Sequence, residues 1–191
     1  HNIPLSNLPK GVILQSLQEA SKEHPELVEK YYSKLAKSND DSIVALNTAF
    51  TQDGFFLYIP KNVVIDKPIQ VINLLRSEQD LMVTQRNLVV LEENSNTKLI
   101  ICDHALSPCR FLTNTVTEVC VGENAIFDYY NIENQHNLTT QLSSVYINQK
   151  KNSNVLTNTL SLHGKLIRNN VSILLDDQGC ESCLLYTSPS P

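Results

Sequence analysis

From Phe50 to Asp177 the chain is a succession of short aliphatic and β-branched runs, FFLYIP, LVVL, KLIICD, TEVCV, SSVYIN and SILLD, separated by Asn, Ser, Asp and Gly. Runs of this length and residue type favour strands, and no stretch of sustained helical periodicity interrupts them. The pattern predicts strands over 55–59, 69–75, 87–91, 97–102, 115–121, 125–132, 138–148, 154–163 and 165–175. Phe55, Leu57 and Ile59 alternate with Phe56 and Tyr58, so the first strand is apolar on both faces and is expected to be covered on both. Two architectures accommodate such a list, an antiparallel sandwich and a parallel β-helix. Polar strand segments such as TNTLSLHGKLIRNN and LTTQLSSVYINQ favour the β-helix, whose coils leave polar positions exposed in rows. The breaks before residues 97, 125, 138, 154 and 165 are too unequal to establish a repeat period. Gly122, Gly164 and Gly179 sit at breaks, where a positive φ costs glycine little.

Upstream of this region the period changes to that of a helix. Ile13, Leu17 and Ala20 share one face of a helix over 10–20. Pro25 suits a first helical turn, Glu26 and Glu29 favour its positive end, and Leu27, Tyr31 and Leu35 stack four residues apart in a second helix. Ser42 to Ala49 reads either as a short helix or as buried coil. These divisions give a helical segment over 1–44, a strand-built core over 45–181 and an unstructured tail over 182–191 that reads as a linker start, a truncation point or non-native sequence, where two Ser-Pro pairs oppose any strand.

The chain is 191 residues long with a net charge of −5, and the Lys150-Lys151 pair and the lone Arg76, Arg86, Arg110 and Arg168 are too dispersed to follow a phosphate backbone. No nucleic-acid partner is expected. No run approaches the length of a membrane span, and HNIPLSNLPKG lacks the order of a secretory signal, so the expected compartment is the cytoplasm, with no membrane association. Five cysteines, at 102, 109, 120, 180 and 183, form neither a secreted disulfide framework nor a zinc knuckle and are expected to be reduced and mostly buried.

Three local sets carry potential chemistry. Cys102-Asp103-His104 places a thiol and an imidazole on one face of a strand, with Cys109 five residues after His104 and Cys120 on a later strand. Such groups suit a soft metal or a nucleophilic dyad, but the spacing matches no ligand pattern, and the simpler reading leaves Cys102 buried and His104 hydrogen-bonded near a loop. Cys180 and Cys183 have redox C-x-x-C spacing without the following helix that would activate the first thiol. His163 stands at a turn without a neighbouring carboxylate, and the pairs Glu92-Glu93 and Asp176-Asp177 are adjacent rather than opposed across a bond. Phosphate-binding loops, a nucleophile elbow and an H-E-x-x-H helix are all absent from the sequence. No catalytic, cofactor-binding or metal-ligating residue is therefore assigned.

The segments ALNTAFTQDGFFLYIPKNVVIDKPIQV (45–71), RNLVVLEENSNTKLIICDHA (86–105), TNTVTEVCVGENAIFDYYNIEN (113–134) and SLHGKLIRNNVSILLDDQGCE (161–181) resemble, in this order, the SufB/SufD family of the SUF iron–sulfur cluster assembly system. PKGVILQSLQEASKEHPELVEKYYSKLA (9–36) extends the resemblance upstream, and ALNTAFTQDGFFLYIPKN is closest to the SufD form. The cysteine that SufB-type scaffolds carry after an EEGS-like segment falls about at Asp103, one place beyond Cys102, so a ligand role is not transferred to Cys102.

The resemblance implies a right-handed parallel β-helix and a non-enzymatic subunit. Its partners would be a SufB-like scaffold and a SufC-like ATPase, and it would support iron acquisition and cluster formation on the scaffold. It implies no intrinsic cofactor, with iron or an iron–sulfur cluster present only in the assembled complex. After Glu181 the pattern breaks at SCLLYTSPSP, so the chain reads as C-terminally truncated, without the family's later histidine, last rungs and helical segment, and with impaired partner binding. Two other readings are a SufB-like scaffold that binds a nascent cluster itself through Cys102, Cys109 or Cys120, and an unrelated carbohydrate-processing β-helix enzyme with opposed carboxylates in a cleft.

Overall fold

The computed structural model describes residues 8–187. Strand β1 (Ile13–Ser16) and helices α1 (Leu17–Glu23), α2 (Pro25–Tyr31) and α3 (Ser42–Phe50) precede ten strands: β2 (Phe55–Ile59), β3 (Ile69–Leu75), β4 (Leu81–Leu91), β5 (Asn96–Ala105), β6 (Phe111–Val121), β7 (Ile126–Asn134), β8 (Thr140–Gln149), β9 (Asn154–His163), β10 (Leu166–Leu175) and β11 (Glu181–Thr187). From β2 onward successive strands alternate between two sheets. One sheet runs β1-β2-β4-β6-β8-β10 and the other β11-β9-β7-β5-β3. Every pairing after β1 is parallel, giving a parallel β-helix of about five turns. The antiparallel β1 covers the free edge of β2, which blunts that end of the first sheet.

The corner between the two sheets explains how unequal coils stay in register. Asn62, Asn94, Asn124 and Asn152 all adopt φ between 54° and 61°, a region that asparagine enters more cheaply than most residues. Their side chains form a ladder: Asn94 Nδ2 donates to Asn62 Oδ1 at 2.9 Å, Asn124 to Asn94 at 3.1 Å and Asn152 to Asn124 at 3.2 Å, with sequence offsets of 32, 30 and 28. Each backbone N–H of the four donates to a carbonyl of the next coil. Gly179 ends the row at φ +73°, where an added Cβ would collide with Asn152 Oδ1. Gly122 is needed for another reason than the expected positive φ, because a Cβ there would meet the Glu92–Glu93 backbone at 2.8 Å.

Two apolar layers flank the first sheet. Leu57, Ile59, Val89, Leu91, Val119, Val121 and Ile147 point into the coil and meet Leu99, Ile101, Phe127 and Val155 of the other sheet. Phe56, Leu88 and Val90 point outward and are covered by Leu17, Ala20 and Val28 of the helices, as the doubly apolar β2 requires.

The N-terminal segment differs from its sequence reading in detail. The stretch 13–16 is a strand, and α1 begins only where Ser16 Oγ caps the Glu19 N–H at 3.1 Å. Helix α2 stops at Tyr31 rather than continuing to Leu35, because the chain turns at Ser33 (φ +58°) and gives the Ser33, Leu35 and Ala36 N–H groups to Glu118 at 2.9, 2.8 and 3.0 Å. Ser42–Phe50 resolves as helix and crosses the expected 44/45 boundary. It is docked by Asn47 Nδ2 on the Asn114 carbonyl and Asn114 Nδ2 on the Ile43 carbonyl.

The tail expected to be unstructured over 182–191 also needs correction. Residues up to Thr187 form β11, which pairs in parallel with β9 from Glu181↔Asn154 to Thr187↔Leu160. The strand depends on backbone partners supplied by β9, and the Ser-Pro pairs begin only at 188; residues 188–191 lie outside the described residues.

Candidate functional site

Alternation along the strands fixes what each inward row contains. Toward the asparagine corner the interior is mainly apolar, with Thr97 and Gln149 as buried polar members of its rows; toward the opposite edge it is polar. In the second sheet Asn73, Asp103, Glu133 and Ser161 stack in one register row, one per coil. Opposite them the first sheet contributes the rows Val83, Thr113, Gln141 and Gln85, Thr115, Ser143, Asn169.

These groups form one network. Asn73 Nδ2 donates to Asp103 Oδ1 at 2.8 Å, and Gln141 Nε2 donates both to Asp103 Oδ2 at 3.2 Å and to Glu133 Oε1 at 2.9 Å. Glu133 also accepts from Asn131 Nδ2 at 3.0 Å, from Asn169 Nδ2 at 2.9 Å and from the Ser161 hydroxyl. Gln135 Nε2 orients Gln141 by donating to its Oε1 at 2.8 Å. Burial pushes both the Asp103 and the Glu133 carboxyl above the usual range, joined at Glu133 by the Asp103 charge; the Asn73 and Gln141 amides and the His104 charge pull Asp103 back part of the way, and the Ser161 hydroxyl with the Asn169 and Asn131 amides does the same for Glu133. A cleft at the far end, lined by Asn137, Ser161, His163, Asn169 and Tyr186, opens next to Glu133 through Ser161 and Asn169.

The cysteines do not converge. Cys102 lies buried on the outward face of the second sheet, where its sulfur accepts from Gln70 Nε2 at 3.5 Å; Asp103 points inward and His104 outward again. The Cys109 thiol donates to the Ser77 carbonyl at 3.2 Å in the turn before β6. Cys120 is on the outward face of the first sheet against the helices, its thiol pushed up to about 12 by burial and then by the Glu118 charge. Cys180 sits at the asparagine corner, its thiol 3.2 Å from the Lys150 and Asp177 carbonyls, and Cys183 is exposed on β11. His163 is exposed at the end of β9. Among the described residues no group of three or more His, Cys, Asp and Glu side chains is placed to hold a metal ion.

The row that links Asp103 to Glu133 escapes a reading that compares only neighbouring acids, since the two stand thirty positions apart. The available signal is the repeat Glu93-Asn94-Ser95, Glu123-Asn124-Ala125 and Lys151-Asn152-Ser153, whose small third residue is buried in every coil. Aligning the coils on that asparagine brings Asp103 and Glu133 into one row. Both project from the same sheet into the interior, which is the wrong arrangement for carboxylates that must attack a glycosidic bond from opposed sides of an open cleft.

Comparison with known proteins places this geometry. Residues 1–71 match the family model described as SufBD protein N-terminal region, and residues 73–187 match the model described as SUF system FeS cluster assembly, SufBD core domain. An iron–sulfur cluster assembly SufBD family protein of Staphylococcus aureus strain MRSA252 is 30% identical over 153 residues, covering 78% of this chain and 33% of that protein. A SufBD family protein of Staphylococcus saprophyticus is 29% identical over the same length and shares. The chain spans about a third of the length of these curated relatives.

Proposed function

The chain belongs to the SufBD family of iron–sulfur cluster assembly proteins, and from that membership we propose that it serves as a SufD-like, non-enzymatic subunit of the assembly machinery. The observation that carries the assembly role is the ordered match of both family regions, residues 1–71 and 73–187. On this proposal the chain acts in the cytoplasm, pairs with a SufB-like scaffold and a SufC-like ATPase, and supports cluster formation on the scaffold without a cofactor of its own. No helix among the described residues is long and apolar enough to cross a membrane. The dispersion of Cys102, Cys109 and Cys120 over two outward faces and a turn supports the SufD-like role over a scaffold that ligates a cluster with these thiols.

Anaerobic reconstitution with iron and sulfide, followed by visible absorption and Mössbauer spectroscopy, separates the two roles. The subunit reading expects no stoichiometric cluster on the isolated protein and unchanged spectra for C102A and C109A. A stoichiometric cluster lost in either variant would establish the scaffold role instead.

A further inference from the structure

Among the described residues, the polar half of the interior contains two carboxylates, Asp103 and Glu133, and neither forms an ion pair. The ion pairs formed by Lys30, Lys61, Arg86, Lys98 and Lys150 engage Glu92, Glu93, Glu118, Asp128 and Asp176, and none of them reaches Asp103 or Glu133. His104, the nearest imidazole in sequence, belongs to the outward row of its strand. Glu133 is fully buried. A carboxylate withdrawn from water in this way must be neutralised by a proton or matched by a positive charge, and the partly buried Asp103 shares the Gln141 amide with Glu133.

A second feature lies beside Asp103. A cavity of about 20 Å³ is lined by Asn73, Gln85, Asp103, Thr113, Thr115 and Gln135, with two aliphatic neighbours. That volume accommodates one water molecule or one bare ion. Gln135 and Thr113 are only 5% and 8% exposed, yet Gln135 Oε1 and Thr113 Oγ1 have no hydrogen-bond partner among the described residues. Gln135 has already committed its Nε2 to Gln141, so the atom left over is an acceptor. Buried polar atoms without partners are uncommon, and here an amide oxygen and a hydroxyl border the same small space as a carboxylate.

We propose that this cavity is a binding site for a single hard divalent cation, held by the Asp103 carboxylate, Gln135 Oε1 and Thr113 Oγ1, with Glu133 supplying the second negative charge through Gln141. The donor set is all oxygen, which suits ions of the magnesium, calcium and manganese class rather than thiophilic metals. Two carboxylates match the charge of one divalent ion. The site uses none of the cysteines and does not depend on the assembly role, so its failure would leave that role standing.

Mn2+ is a direct probe, because its binding is read by electron paramagnetic resonance without any activity assay. The chelator-treated protein carrying this sequence is titrated with Mn2+, and thermal unfolding is followed in parallel. The expected result is one bound Mn2+ per chain, with affinity reduced at least tenfold in D103N and severalfold in E133Q, unchanged affinity in C102A, and a Mn2+-dependent rise in Tm that D103N abolishes. If D103N fails to fold, the pair Q135L and T113V tests the same site through its neutral ligands and is expected to weaken binding at least tenfold. Absence of stoichiometric Mn2+, as for a cavity that takes only water, or equal affinity in the wild type and in the folded site variants, overturns the proposal.

Discussion

Replacing Glu118 with alanine removes one side chain and strips four groups of their partner. Glu118 and Arg86 are 0% and 1% exposed, and their closest approach, Arg86 Nη2 to Glu118 Oε2, is 2.8 Å. The same carboxylate accepts the Ser33, Leu35 and Ala36 N–H groups, and Arg86 Nη2 closes the unit by donating to the Ala36 carbonyl at 3.0 Å. The Tyr32 ring lies 5.4 Å from the Arg86 guanidinium carbon and covers one side of it. Breaking a buried pair from one side leaves an uncompensated charge and costs about 3–5 kcal/mol.

The three amides do not add their full desolvation penalty to that figure, since the segment holding them can peel from the sheet into water and allow Arg86 to hydrate. The expected loss for E118A is therefore about 4 kcal/mol, a large share of the roughly 5–15 kcal/mol that stabilises a domain. In urea unfolding with a slope of about 2 kcal/mol/M, this lowers the midpoint by roughly 2 M. Limited proteolysis should report the release locally, as new cleavage between residues 33 and 41, while E118Q, which keeps an acceptor oxygen but not the charge, falls between wild type and E118A. A midpoint shift below about 0.5 M with no new cleavage would refute the view that this ion pair fastens the N-terminal segment to the solenoid.

The asparagine ladder predicts that N124A is worse tolerated than N124G: alanine loses both ladder bonds and pays about 1–2 kcal/mol for φ +55°, whereas glycine loses only the bonds, and urea unfolding of the two variants measures the difference. For Asp103 and Glu133 the raised folded-state values mean that, between about pH 4 and those values, the folded chain retains protons that the unfolded chain has released. Their contribution to stability is thus greatest below that window and falls as pH rises through it. In chelator-treated protein, the D103N/E133Q double variant should lose less stability than wild type between pH 4.5 and 7.5, and an identical loss would contradict the assignment.

Much of the solenoid is legible in the chain because its strands depend on local texture. Nine runs of β-branched and aliphatic residues correspond to β2 through β10, and the two-faced apolarity of Phe55–Ile59 anticipates both the interior and the helix-covered face. What escapes is set by partners distant in sequence. Nothing near Tyr31 indicates that α2 must stop there; the cause is a carboxylate more than eighty residues away on β6. Nothing in SCLLYT marks it as a strand, since its hydrogen bonds come from β9 and its side chains are largely exposed. The Asp103–Glu133 row is hidden for the same reason, because coils of unequal length conceal a register that only the stacked asparagines reveal. Cys102, by contrast, attracts notice through its neighbours in sequence, although alternation alone separates it from Asp103 by a whole sheet.

The assembly role is tested most directly by co-purification of the protein carrying this sequence with a SufB-like scaffold and a SufC-like ATPase from the same source. The account predicts that both partners are retained, more weakly than the scaffold and the ATPase retain one another, in line with the impaired partner binding that the resemblance implies, with ATP hydrolysis tracking the ATPase chain and cluster appearing on the scaffold. Failure of the protein to associate with either partner, under conditions where the scaffold and the ATPase still bind one another, would contradict it.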